Sequence, residues 1–469
     1  MIKISPVPDE SYKSHDFVIT VNGINLDAYK CRVSRIPFNR VWPGYQRPLD
    51  QTEMASFAYL AADEEVEFAI TPNKDFSEVV IRPLSKKVEF DVQNGVIRFR
   101  IKKAGQYTVE LDGHHNALHL FVNPIEEYLK DDNTIYFGPG VHYAGHIDMQ
   151  DNQTIFVDSG AVVHCSITAA DKKNIAIKGH GIIDNSSFKR PSKSCLRCPT
   201  SVVFTRCMNV EISGVIFNDA SAWTATFFNC DNILVDNIKT IGMWRYNSDG
   251  VDFVNSSNGI VRNSFLRNFD DVIVLKGIKG YDHRNVENIL VENCVLWCDW
   301  GRALEIGAET CADEYRNIVF RNCDIIHAST KAMDLQNGDR ANVHMVLFED
   351  IRVEYSKYAM PEVYQESDDM EYVWDGKPNI PWLFYAHLYC GLWSDDNLLG
   401  TNSNIRLKNI QVFMDEGLER PKIGLYGANE DHMTYDITIE DLYINGVKVV
   451  SYEDANIHTN EFVQNVDVK

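Results

Sequence analysis

From about residue 174 onward the chain repeats one pattern: an Asn, alternating aliphatics, then Asn or Asp five positions later. NILVDN runs from Asn232 to Asn237, NGIVRN from Asn258 to Asn263, NILVEN from Asn288 to Asn293 and NIVFRN from Asn317 to Asn322. Looser copies end at Asp350, Asn409 and Asp441, and earlier ones begin at Asn174 and Asn209. The copies recur at roughly 23–35 residues, the interval of a repeat architecture. Alternation with period two gives each copy a strand with one face inward. No amphipathic stretch of helical length separates the copies, so stacked strands of one sense are predicted: an all-β, parallel β-helix. Asn suits the corners. It tolerates left-handed backbone and can hydrogen-bond along a stack of its own kind.

The first 125 residues carry a different rhythm. VEFDVQNGVIRFRI places two alternating strands around Asn94-Gly95, a strong hairpin signal, and EVVIRPL, QYTVELDG and ALHLFVN continue it. A β-sandwich-like domain is predicted over 1–125 and the helix over 126–450, with 451–469 as a C-terminal tail. An aromatic-rich insertion is expected at about 354–400. It is open to two readings: a lid or sugar platform over the site, or a patch against the sandwich domain or a second copy of the chain, which would make a homo-oligomer.

Composition narrows the partners. The 469 residues carry a formal charge of −22, which repels a phosphate backbone and argues against nucleic acid. No apolar run is long enough to span a bilayer, and the first residues lack the pattern of a signal peptide, so a cytoplasmic location and no membrane partner are expected. The 11 cysteines are then reduced thiols, with Cys294 and Cys323 as stacked core residues. Cys195-x-x-Cys198 has no second pair at ligand spacing and is read as structural, so neither metal nor organic cofactor is expected.

Candidate chemistry lies in two adjacent copies. Asn247-Ser248-Asp249-Gly250 and Asp270-Asp271-Val272-Ile273 each open the strand that follows them. Rungs lie ~4.8 Å apart, so Asp249, Asp270 and Asp271 cluster as catalytic carboxylates. Repulsion among them should raise one pKa, giving an acid beside an ionised base, as cleavage of a glycosidic bond requires. Asp252 is read instead as a structural corner residue that caps a turn.

These stretches resemble the polygalacturonase-like clan, glycoside hydrolase families 28 and 49. KGHGIIDNSS (Lys178–Ser187), NSDG (Asn247–Gly250) and FDDVIVLKG (Phe269–Gly277) carry the likeness. The resemblance implies a right-handed, pectin-lyase-like helix, with Asp270 as general acid, Asp249 and Asp271 activating water, and inversion. One-rung spacing alone would favour retention.

Two positions depart from the pectin-cleaving branch. Where it carries Gly-His-Gly, this chain has Gly301-Arg302-Ala303-Leu304-Glu305-Ile306-Gly307. Where it carries the Arg-x-Lys that holds a uronate, this chain has Asp334 and Gln336, with Lys331 and Arg340 nearby as partial compensation. A site without those cations should reject uronates. The layout is closer to the family 49 dextranase and isopullulanase type, which implies a neutral oligosaccharide or α-glucan. Arg302, Glu305, Asp334, Gln336 and Lys276 are the expected polar contacts to substrate. Trp300 leads the aromatic candidates and Trp244 follows, ahead of Trp223, Tyr246 and Trp297. The alternatives are a pectic polygalacturonase-like hydrolase and a non-catalytic carbohydrate-binding β-helix.

Overall fold

The structure, a computed structural model, describes residues 1–37, 47–128, 130–190, 199–362 and 372–469. The Cys195–Cys198 pair lies outside the described residues. Two sheets account for the strands. A ten-stranded sheet holds the N-terminal part, antiparallel except where Leu118–Asn123 runs parallel to Thr52–Ala62. A 31-stranded sheet winds through the rest as a right-handed parallel β-helix.

The N-terminal sheet folds over its own core, where Val21, Phe68, Ile97, Val109 and Leu118 are fully buried. Alternation assigns its second face. On Ile24–Ser34, Leu26 and Ala28 point into that core, while Tyr29, Cys31 and Val33 point to the β-helix. They meet Ile182, Ile216, Ile241, Phe265 and Val295, one from each of five successive coils, and Trp297 from the last of these. The expected hairpin forms: Asn94 and Gly95 both take positive φ, and Gln93 pairs with Val96.

Through the middle of the helix each coil contributes three strands, and strands three apart pair; towards both ends strands two apart also pair. The Asn motif works at both of its ends. Asn232, Asn258, Asn288 and Asn317 have φ of 53–57°, as do Asn237, Asn263 and Asn293 within 54–57°. Their amides form ladders: Asn288 donates to Asn258 at 2.9 Å, and Asn317 to Asn288 at 3.1 Å. A second ladder joins Asn322 to Asn293 at 2.7 Å. Cys294 and Cys323 follow that ladder as buried free thiols.

Two expectations need correction. The sequence from 451 onward is not a tail, because Ile457–Thr459 and Val463–Val468 pair with Ile423–Tyr426 and Thr434–Ile444. The apolar faces of Ile457, Val463, Val466 and Val468 cover the end of the core. The insertion is also shorter than expected. Trp382–Leu388 is an ordinary rung between Lys331–Asn337 and Ile423–Tyr426, with Phe384 and Ala386 in the core. Aromatics on its outward positions hid that alternation.

Candidate active site

One of the three faces collects the chemistry. Its rungs include Trp223–Phe228, Val251–Val254, Ile273–Gly277, Arg302–Thr310, Lys331–Asn337 and Trp382–Leu388. Val251 pairs with Ile273, so two residues upstream Asp249 aligns with Asp271. The Gly250 amide donates to the Asp271 carbonyl at 2.8 Å, locking the two rungs together. Gly250 has room for no side chain, since a Cβ would lie 2.3 Å from the Val272 carbonyl oxygen. Gly301 is similar: a Cβ there would meet Asp270 and Asp271 backbone atoms at 2.6 Å.

A cavity of about 40 Å³ opens beside these residues. Asp249, Asp270, Asp271, Lys276, Trp300 and Arg302 line it, together with Trp223, Asn247, Ala308, Glu309 and Trp393. Lys276 stands at the centre of the charges. Its Nζ lies 3.3 Å from Asp249, 3.6 Å from Asp271, 3.8 Å from Glu309 and 3.9 Å from Asp252. One ammonium does not balance four buried carboxylates, and Arg302 pairs with only Asp271 among them.

The three candidate carboxylates then divide. Burial pushes Asp270 well above the usual carboxylate range, and the negative charges of Asp271 and Asp249 push it further. Among the described residues no cation forms an ion pair with Asp270. Its Oδ1 accepts from the Asp271 amide at 3.1 Å. Burial also acts on Asp271, but the Arg302 guanidinium and Lys276 overcome it and hold that carboxyl below its ordinary value. Arg302 Nη1 lies 3.5 Å from Asp271 Oδ1. Asp249 is pushed well up by burial despite Lys276, with Asp252 and Asp271 adding to the rise. Burial and charge thus push these two neighbours, Asp270 and Asp271, in opposite directions. Asp249 differs from the expectation that it would share the ionised role.

Asp252 is not a turn cap. It lies inside the strand Val251–Val254, fully buried, and burial pushes it to about 8. Glu305, Asp334 and Gln336 do not line the cavity; they hold Arg302. Arg302 Nε lies 3.4 Å from Asp334 and 3.9 Å from Glu305, and Nη2 donates to Gln336 at 3.3 Å. Lys331 donates to Asp334 at 2.9 Å. Arg340 reaches away from the site, to Asp396 at 2.6 Å and Asp282 at 3.0 Å.

The aromatics also separate. Trp300 stacks on Phe269 with centroids 5.8 Å apart, and Arg47 of the N-terminal sheet region covers Phe269 at 4.1 Å. Trp244 and Trp297 are not cavity walls. Trp244 is buried beside Arg245 and Arg32. Trp297 sits under Arg267 in the interface with the N-terminal sheet. Trp244 departs from the expectation that it binds sugar, because the sequence does not reveal which faces of the helix that sheet covers. Four cavity residues were not anticipated: Asn247, Ala308, Glu309 and Trp393. Glu309 shares the alternation of Glu305 and could have been found by it. Asn247 belongs to the quoted NSDG segment. Trp393 comes from the loop after Leu388 and has no periodic signal. Asp339 Oδ1 fixes that loop, accepting from the amides of Asp395 at 2.6 Å and Asp396 at 2.9 Å.

Together these features define a β-helix protein with a buried cluster of carboxylates on one face. Residues 125–368 match glycosyl hydrolases family 28, and the chain belongs to that family. Polygalacturonase QRT2 of Arabidopsis thaliana is 25% identical over 191 residues, which cover 38% of this chain and 42% of that protein. An exopolygalacturonase of Cochliobolus carbonum is 29% identical over 133 residues, covering 26% and 28%. The chain thus spans less than half the length of these curated relatives. Among solved structures, Dex49A from Penicillium minioluteum superposes with a TM-score of 0.67 at 14% identity, covering 100% of this chain and 96% of that one. A hyperthermoactive exopolygalacturonase from Thermotoga maritima gives 0.50 at 18%, covering 72% and 84%. These two likenesses establish the fold.

Proposed function

We propose that this protein is an inverting glycoside hydrolase acting on a neutral oligosaccharide or α-glucan. The observation that carries the reading is the opposite surroundings of Asp270 and Asp271. Asp270 is buried beside two carboxylates, while Asp271 lies 3.5 Å from Arg302 and 3.6 Å from Lys276, which favours a proton on the first and charge on the second. Asp270 donates its proton to the glycosidic oxygen as the bond to the anomeric carbon breaks. Water attacks that carbon from the other face and passes its proton to Asp271, with Asp249 orienting it. Exchange with solvent then returns a proton to Asp270 and removes one from Asp271. Such acid–base assistance contributes on the order of 10²–10⁴-fold.

A neutral substrate is supported by the cations of the site. Lys276, Arg302 and Lys331 all have carboxylate partners within the protein. A uronate would have to displace one of these pairs, leaving a buried charge uncompensated. The second reading, a pectic substrate, is favoured by the family 28 match and by the polygalacturonases among the relatives. A reducing-end assay across neutral α-glucans and galacturonans decides between them, and NMR of the fresh product reports its anomer. Release from neutral glycans with inversion is expected. Release from galacturonan alone would overturn the neutral reading, and retention would overturn the single displacement.

A further inference from the structure

Three outward columns leave the charged site and each arrives at an aromatic ring. Arg302 pairs with Lys331 and Lys331 with Trp382. Glu305 pairs with Asp334 and Asp334 with Tyr385. Gln336 pairs with His387 and His387 with Tyr426. We propose that Trp382, Tyr385 and Tyr426 form a glycan-binding platform that extends the catalytic cleft along the C-terminal rungs. It rests on the hydrolase reading and specifies the substrate: an extended chain of neutral sugars, with several rings bound beyond the cleavage point.

The rings are partly exposed on an otherwise regular sheet. Tyr385 lies 4.9 Å from Trp382 of its own strand and 5.4 Å from Tyr426 of the next rung, centroid to centroid, the latter close to the rung repeat. Gly424, the next residue in the Tyr385 column, makes this arrangement possible. A Cβ at Gly424 would lie 2.5 Å from Tyr385 Cδ2 and 3.0 Å from a ring carbon of Trp382. Both rings therefore lean across the following rung instead of standing over their own. From the Lys331–Asn337 rung to the Ile457–Thr459 rung the surface runs about 14 Å, three steps of ~4.8 Å. Lys331, stacked 4.6 Å over Tyr385, is already paired with Asp334. Burial holds His387 near 4, so it presents a neutral ring at ordinary pH. The rings meet edge-on and tilted, at 73° and 42°, with Lys422 5.7 Å over Trp382, so the ridge offers aromatic surface of mixed orientation to the apolar faces of sugars.

The test compares kcat/KM on neutral malto- and isomalto-oligosaccharides of two and six units for wild type, Tyr385→Ala and Gly424→Ala. The hexasaccharide value should fall on the order of tenfold further than the disaccharide value in both variants. Equal losses at both lengths would overturn the platform while leaving hydrolysis intact. Calorimetric binding of the hexasaccharide to Asp270→Asn, with and without Tyr385→Ala, is read independently of turnover. Tighter binding lost with Tyr385 supports the platform even if the wild type hydrolyses nothing. Absence of binding by every oligosaccharide would overturn it. So would a dimer dispersed by Tyr385→Ala with no change in oligosaccharide binding, because the ridge would then seat a second copy of the chain.

Discussion

Arg302 holds Asp271 through two contacts on one oxygen: its guanidinium lies 3.5 Å from Oδ1, and its backbone amide donates to the same atom at 3.2 Å. The side-chain contact is electrostatic and the backbone one is geometric. Substitution removes only the first.

Arg302→Gln should therefore raise the Asp271 pKa without moving its carboxylate. Activity requires Asp271 ionised, so it is lost as pH falls through that pKa. The acidic limb of the kcat/KM profile should shift upward by about one unit, the scale of a lost neighbouring cation. A profile measured from pH 4 to 9 checks this. An unmoved acidic limb would mean that Arg302 does not set the charge of the base.

Asp252 gives a stability prediction. Its folded pKa of about 8 stands above the ordinary 3.8, so the folded state binds the extra proton between those values. Stability from this group is full below the ordinary pKa and is lost as pH rises toward the folded one. Asp252→Asn cannot ionise and should lose less stability than wild type between pH 5 and 8. Denaturant melts at both values test it, and equal slopes would contradict it.

Arg82 joins the two sheets. It bonds Glu110 at 2.9 Å and also pairs with Glu354 of the helix, and all three are buried. Glu110 also bonds His327 across the interface at 2.5 Å. Arg82→Ala leaves two buried carboxylates without their cation and should cost about 3–5 kcal/mol. Urea unfolding at pH 7 would measure this, and a loss under 1 kcal/mol would make the junction a hydrophobic contact with incidental charges.

Much of this was legible because two periodicities are written directly into the chain. The Asn at each end of NILVDN and its copies marks corners, and those residues do adopt left-handed backbone. Asp249, Asp270 and Asp271 could be brought together by counting one coil. What could not be read was which faces are covered. Trp297 and Trp244 look like sugar binders until the N-terminal sheet is laid over that side. Glu305 and Asp334 alternate outward as expected, but the size and charge of Arg302 turn them into its supports. Trp393 arrives from a loop whose path is fixed by Asp339, over fifty residues upstream, a contact with no local signature.

In the proposed mechanism Asp270 carries the proton for bond cleavage. Asp270→Asn keeps the shape of the side chain and removes only that proton. On whichever neutral glycan the wild type cleaves, the variant's kcat should fall at least ~10²-fold, toward the ~10⁴-fold upper range for a lost general acid, while calorimetry still detects substrate binding. A variant that binds and turns over within a few-fold of wild type would contradict the account.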